Sequence, residues 1–391
     1  MGETDQYEAA PALAEFVRKT PFLNLCIYDR DRSAFLEASS VPMEKLLYHR
    51  YSNYFAAKVS ALICDSLRPR SEPKPAPRPE LKPLRLAYSE AVRFYCKAIR
   101  EKVRDYLTPP LWTIAICSRN SSAQLWPPSE HAIESALLLL PPAGKIWADP
   151  FCYEREGVCH IFFEEASRSR SDGRICHVSV ESGKVSPARV ILERKHHLSY
   201  PSLLEWQGEL FLIPESGHRR CVEAYRCVNF PFEWEYHTTI LKDVRAVDPT
   251  AFVHDGKIWL TCLTRDTYEH NLPGHELRVY WADNIEGPWT PVTSNPVVSD
   301  VRCARPGGAI FQGPDGFLYR PAQDCSECYG GSLRLHRINE LSTHTYREQE
   351  VQHIKFSQFR GRSVVGCHTL NYSENYILFD LNFFQPWFRQ L

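Results

Sequence analysis

Two hydrophobic periods divide the chain. Before about Gly144 the apolar positions recur at helical spacing, and after it they alternate in short strand-length runs closed by turn residues. From Met43 to Leu67, the residues Leu46, Leu47, Tyr51, Tyr54, Phe55, Val59, Leu62 and Ile63 predict an amphipathic helix. A proline-dense stretch from Pro69 to Pro83 follows and reads as an extended linker, because proline donates no backbone hydrogen bond. Tyr88, Ala91, Val92, Tyr95, Ala98, Ile99, Val103 and Leu107 then predict a second helix, leading into a strand-like Trp112 to Ser118. The expected organisation is a helical extension and linker over 1–84, a helix plus strand lead-in over 85–144, and a β domain over 145–391.

Within the β domain one pattern recurs five times. The first three copies are Trp147 to Glu165, Ser199 to Ser216 and Ala246 to Thr264, and two weaker ones are Ala304 to Asp324 and Cys367 to Asn382. Each is a strand, a tight turn and a second, aromatic-rich strand, with Gly157, Gly208, Gly256 or Gly316 in the turn and Ser373-Glu374-Asn375 replacing it in the last. Further strand candidates, Arg174 to Val180, Cys221 to Val228 and Glu276 to Asp283, give each unit material for about four strands. The repeat starts Asp149, Pro201, Asp248, Pro306 and His368 are 52, 47, 58 and 62 residues apart, the range of propeller blades. The fold class is therefore all-β, a five-bladed β-propeller with a short, mainly helical N-terminal extension.

In a propeller the innermost strands line a central channel, so equivalent positions of different blades converge on one funnel. The first-strand positions are Asp149, Tyr200, Asp248, Arg305 and His368; the second-strand ends add Glu164, Glu165, Glu215, Arg320, Gln323 and Asp324. Gathering carboxylates in a narrow pocket raises their pKa values and suits acid/base chemistry at a glycosidic bond, with one carboxylate as nucleophile or base and another as acid. Asp149, Glu215 and Asp248 are the expected catalytic set. Trp147, Glu165, Tyr200, Arg245, Arg305, Arg320, Gln323, Asp324, His368 and Asn371 are the expected substrate-binding residues. Glu164 and Glu165 point to opposite faces of a strand, so at most one reaches the channel. Trp147, Tyr200, Trp281 and Tyr329 are candidates for stacking on sugar faces, while Gly307-Gly308 and Gly330-Gly331 read as close backbone packing.

Charge and cysteine content narrow the classes. With 46 Lys+Arg against 47 Asp+Glu there is no basic excess for nucleic acid. Apolar runs such as Ala136 to Pro141 fall short of the roughly 18 residues of a membrane span, and the first residues are acidic, unlike a secretory leader. The expected setting is cytoplasmic, with the 14 cysteines as reduced thiols. Cys325 and Cys328 form one Cys-x-x-Cys without a second pair at zinc-ribbon spacing, so no metal is assigned. No cofactor motif is present; a channel cation would have His368 as its one candidate ligand.

The order of motifs is informative. Trp147-Ala-Asp-Pro-Phe151, Phe162-Phe-Glu-Glu165, His197-Leu-Ser-Tyr-Pro201, Ile213-Pro-Glu-Ser216, Asp243 to Asp248, Gly287-Pro-Trp-Thr290, Asn295 to Arg302, Ala304-Arg-Pro306, Tyr319 to Asp324 and His368-Thr-Leu-Asn371 resemble the propeller that forms the N-terminal part of plant glucosamine inositolphosphorylceramide transferases and its bacterial relatives. That domain is in turn similar to the five-bladed propellers of arabinanase, xylosidase and levansucrase/invertase glycosidases. The more distant similarity implies that Asp149 matches the blade-one nucleophile or base, with Asp248 and Glu215 as stabiliser and acid in either order. In the plant proteins a separate C-terminal glycosyltransferase domain is expected to transfer the sugar, so transfer does not carry over with the propeller alone.

Three readings follow. The preferred one is a carbohydrate-active enzyme that hydrolyses or transfers a glycosidic bond of a glycan or glycoconjugate. The others are a propeller that binds a glycan or lipid head group without chemistry, and a biosynthetic enzyme using the funnel for a non-hydrolytic step on a small molecule.

Overall fold

The computed structural model describes residues 22–29, 34–42, 74–75, 96, 110–119, 135–167, 172–216, 219–264 and 276–384. The chain divides into two units, Met1–Leu107 and Thr108–Leu391. In the first, Phe22–Asp29 pairs antiparallel with Ala34–Pro42, and Lys74–Pro75, inside the proline-dense stretch, adds two residues to the edge. The helical pattern expected at 43–67 lies outside the described residues, as does that at 88–107 apart from Cys96, which is helical.

The second unit is a five-bladed β-propeller. Blade one contains Lys145–Arg155, Val158–Ser167, Arg174–Glu181 and Arg189–Leu192 in antiparallel order. Blade two runs through Ser199–Trp206, Glu209–Glu215, Cys221–Asn229 and Glu233–Lys242, and blade three through Ala246–His254, Lys257–Thr264, Glu276–Ala282 and Thr290–Pro291. Blade four begins with two short pieces, Arg305–Pro306 and Phe311–Gln312, both paired to Leu318–Asp324, and continues through Ser332–Leu341 to Tyr346–Ile354. In blade five Leu370–Tyr372 pairs with Tyr376–Phe384, which pairs with Pro110–Ser118 and then Leu137–Leu139. The strand expected as a lead-in before Lys145 is thus a full member of the last blade, and the ring is closed by a strand from the beginning of the unit.

Five apolar clusters fill the five gaps between neighbouring blades. Phe162 and Ile175 of blade one meet Leu212 and Tyr225 of blade two, whereas Phe211 and Ile213, on the opposite face, meet Ile258 and Leu260 of blade three. Trp259 and Val279 then meet Ile338 and Tyr346, Leu333 and Leu335 meet Phe379 and Leu381, and Ile114 and Leu378 close back on Ile161 and Cys176. Both faces of each blade are buried, which explains why inner segments such as Leu210 to Ile213 read as unbroken apolar runs.

The hairpin turns are those the repeat predicts. Glu156-Gly157, Gln207-Gly208 and Asp255-Gly256 all have positive φ at both residues, the type I′ geometry that matches strand twist. A second irregularity repeats on the inner strands. The pairing register breaks between Ala148 and Phe151, Ser199 and Ser202, and Val247 and Thr250, and at those breaks Asp149, Tyr200 and Asp248 take φ of 52°, 48° and 51°. A left-handed residue other than glycine costs about 1–3 kcal/mol and persists only where its surroundings hold it. Here each is followed by proline, which cannot rejoin the ladder, so the inner strand is turned out of register at the centre of the ring.

Candidate active site

Asp149 and Asp248, the two left-handed aspartates, are the nodes of the site. The Asp149 backbone N–H donates to Asp380 Oδ2 at 3.1 Å, and its Oδ1 accepts from Thr369 Oγ1 at 2.9 Å. His368 lies between the two carboxylates, with Nδ1 2.5 Å from Asp380 Oδ2 and Nε2 3.7 Å from Asp149 Oδ1. Its ring stacks on Trp112 with centroids 4.0 Å apart. Gly330, at φ 60°, packs against this pair; a Cβ there would lie 2.8 Å from His368 Cβ and 3.1 Å from the Trp112 ring.

The second node joins blades two, three and four. The Asp248 carboxylate accepts from Arg305 Nε at 2.5 Å and Gln323 Nε2 at 2.7 Å, and its backbone N–H donates to Glu215 Oε2 at 3.0 Å. Asp149 and Asp248 are therefore held alike, each by a carboxylate from the second strand of the preceding blade. The Arg305 guanidinium lies 4.7 Å from the centre of the Tyr329 ring, which stands edge-on to His368 at 5.4 Å and is 54% exposed.

Glu164 completes the cluster. It stands opposite Ala148 in the blade-one ladder, as Glu215 stands opposite Ser199 in blade two. Burial, reinforced by Asp149, Glu215 and Asp248, drives its pKa well above the usual carboxylate range, and its carboxyl is in hydrogen-bond contact with that of Asp149. His197 approaches it from outside: Nδ1 accepts from Gly173 N–H, which leaves Nε2 to face Glu164 Oε1 at 3.3 Å. Burial pushes Glu215 up to about 8, with Asp248 adding to the rise and Arg305 opposing it. Asp149 is pushed up to about 6, chiefly by burial, with His368 opposing. Burial opposes the charge of His368, but Asp380 and Asp149 raise its pKa above that of free imidazole. One funnel therefore holds carboxyls that burial displaces by different amounts, Glu215 to above neutrality and Asp149 to below it.

A family model, glucosamine inositolphosphorylceramide transferase 1, N-terminal, matches residues 109–373, more than half of the chain. The chain belongs to that family. The chain is 35% identical over 240 residues to glucosamine inositolphosphorylceramide transferase 1 of Arabidopsis thaliana, covering 60% of this chain and 31% of the relative. It is 30% identical over 242 residues to the protein of the same description from Oryza sativa subsp. japonica, covering 59% and 32%. The chain thus spans about a third of the length of these relatives. Among solved structures, a family 117 glycoside hydrolase of Zobellia galactanivorans aligns at 14% identity and a TM-score of 0.42, covering 61% of this chain and 84% of that one. The inulosucrase of Halalkalicoccus jeotgali bound to kestose aligns at 12% identity and a TM-score of 0.42, covering 54% and 72%.

In this member of the transferase 1 N-terminal family the funnel gathers Asp149, Glu215, Asp248, Arg305, Gln323 and His368 of the residues expected from sequence. Others are placed elsewhere. Trp147 and Glu165 bond to each other through Nε1 and Oε2 at 2.9 Å, and Glu165 also holds Arg174, so the strand alternation sends Glu164 rather than Glu165 to the funnel. Tyr200 is fully buried, its hydroxyl bonded to Thr250 and to Gly308. Arg320 is buried inside blade four on Glu348, and Asp324 on Arg334 and Ser326. Asn371 ties Pro150 O to Ala309 N across blades, and Arg245 is exposed. Gly308 packs so closely on Leu370 O that no side chain fits there, as close packing at that pair requires. Trp112, Thr369 and Asp380 were absent from the expected set. The family model extends back to residue 109, but before the fold is known nothing marks Trp112 as the last blade's third strand.

Asp149, His368 and Asp380 bring three potential metal-ligand atoms within 4.8 Å of one another, as do Cys303, His336 and Glu348. In the first group the Asp380 oxygens accept from three backbone N–H groups and face His368 Nδ1; in the second Glu348 carries the Arg320 guanidinium, whose charge opposes a cation. Cys325 and Cys328 belong to no such group among the described residues.

Proposed function

We propose that the funnel acts on a glycosidic bond of a glycan or glycoconjugate, by hydrolysis or by transfer to an acceptor. The observation that carries this reading is the divergence of carboxyl environments at one point: Asp149 ionises near 6, Glu215 near 8, and Asp248 is held by Arg305 and Gln323. Asp149 then serves as base toward water or as nucleophile toward the anomeric carbon. Glu215 donates its proton to the leaving oxygen as the C–O bond breaks, and the electron pair stays on that oxygen. Asp248, fixed by Arg305 and Gln323, stabilises the positive charge that develops on the sugar ring. Glu164 donates to Asp149 and holds it in place, and Tyr329 offers an open aromatic face at the mouth. The relatives named glucosamine inositolphosphorylceramide transferase 1 support a sugar-bearing substrate.

The test is a panel of glycosides, glycolipids and nucleotide sugars with mass-spectrometric product detection on wild type, Asp149→Asn and Glu215→Gln. Product that disappears in both variants supports the reading and names the substrate. Turnover unchanged in both overturns it. The Arg305 to Asp248 ion pair at the centre favours a second reading, a propeller that binds a sugar head group without chemistry; retention of a sugar with no product in any of the three proteins is its signature.

A further inference from the structure

We propose that Asp380 is a positioning residue for the reaction centre: from the second strand of blade five its carboxylate fixes the backbone of Asp149 and the ring of His368, so that His368 presents an Nε2–H to the Asp149 carboxylate. The inference rests on the catalytic reading above, in which Asp149 is the reacting group, and adds the device that aims it.

Asp380 is fully buried, and both of its oxygens are engaged. Oδ1 accepts from the backbone N–H of His368 at 2.8 Å and of Thr369 at 3.1 Å. Oδ2 accepts from the backbone N–H of Asp149 at 3.1 Å and faces His368 Nδ1 at 2.5 Å. A carboxylate only accepts, so Nδ1 carries a proton, and the partner at one imidazole nitrogen sets what the other presents. Nε2 faces a second carboxylate, Asp149 Oδ1, at 3.7 Å; a bare Nε2 there would set lone pair against lone pair, so it too carries a proton. Arg305 opposes the ring's charge from the blade-four side, and Tyr329 stands edge-on to the ring at 5.4 Å. Ring rotation is blocked by Trp112 on its face and by Gly330 against its Cβ. The same carboxylate secures the left-handed backbone of Asp149, which has no ladder partner at the register break. One buried group thereby controls where Asp149 points and which proton it meets, the division of labour between an orienting acid and an imidazole in a hydrolytic triad.

The experiment is long-range proton–nitrogen correlation spectroscopy on the full chain labelled with ¹⁵N-histidine, the His368 signals being assigned by their loss in His368→Gln. In wild type both ring nitrogens of His368 are expected to be protonated at neutral pH, and in Asp380→Asn one of them is expected to lose its proton at the same pH. Asp380→Glu, which keeps the carboxylate, should restore the wild-type pattern at least in part. A wild-type ring with either nitrogen bare, or an Asp380→Asn ring indistinguishable from wild type, overturns the proposal; should Asp380→Asn fail to fold, the wild-type spectrum decides alone. On a substrate found by the panel, Asp380→Asn is expected to lower kcat by about a hundredfold or more with little change in KM. The spectra need no substrate, so a panel without turnover sinks the catalytic reading while the protonation of His368 is still read independently.

Discussion

Arg305 and Asp248 form an ion pair between blades four and three, Nε to Oδ2 at 2.5 Å, with both side chains almost entirely removed from solvent. Removing one partner of such a pair strands a buried charge, at about 3–5 kcal/mol. Arg305→Ala and Asp248→Asn are therefore expected to lower the midpoint of thermal unfolding strongly, and the double variant less than the sum of the two. Additive losses in a double-mutant cycle by calorimetry would contradict the pairing.

The pH dependence follows from the two displaced carboxyls. Asp149 must be ionised to act as base or nucleophile, so activity rises as pH passes about 6; Glu215 must hold its proton, so activity falls as pH passes about 8. A bell-shaped kcat/KM profile centred near neutrality is expected, and Glu215→Gln should lose its basic limb. A profile that rises monotonically would show that Glu215 is not the donor.

Roles within the carboxyl cluster separate by substitution. Asp149→Asn and Glu215→Gln should each cost about 10²–10⁴ in kcat, whereas Glu164→Gln, which keeps a donor toward Asp149, should cost less than about tenfold. With a substrate whose leaving group needs no protonation, such as a nitrophenyl glycoside, Glu215→Gln should recover most of its rate while Asp149→Asn does not. Steady-state kinetics on the two substrate types checks this.

Tyr329 gives a test of the mouth of the funnel. An aromatic face against a sugar contributes about 0.5–1.5 kcal/mol, so Tyr329→Ala should raise KM by roughly two- to tenfold with kcat nearly unchanged, and Tyr329→Phe should behave as wild type. A fall in kcat with KM unchanged would assign the ring to holding Arg305 instead.

Arg320 was an expected ligand contact, and its place in the fold reverses the forecast. Buried on Glu348 and on the Cys303 carbonyl, it should cost several kcal/mol of stability when changed to Ala and leave substrate binding untouched in protein that remains folded. Thermal melts beside binding isotherms distinguish the two roles.

The repeat made the ring legible because its first three copies each carry a turn that demands positive φ and a proline that interrupts the inner strand, and both constraints act on neighbouring residues. The nodes Asp149 and Asp248 were readable for the same reason: each occupies the left-handed position before that proline. Misplaced residues failed on facing and on partners. Glu165 and Glu164 differ by one step of a strand, and only the ladder with Ala148 and Trp147 fixes which of them turns inward. Arg320 and Asp324 carry the residue types of a ligand site, yet Glu348 and Arg334, which neutralise them, come from later strands of the blade. Asp380 escaped notice because its role depends on the backbone of Asp149, in another blade.

The closing strand Pro110–Ser118 links folding order to competence. Trp112 belongs to the first strand of the propeller to leave the ribosome, and His368, the ring it covers, to the last blade; between them lie all the other blades. During synthesis the first strand must wait for the whole ring before it has a ladder to join, a contact order that favours slow closure. The imidazole beside Asp149 is consequently roofed only when the two ends of the unit meet. Partially built rings hold the carboxylates of blades one to three without that roof.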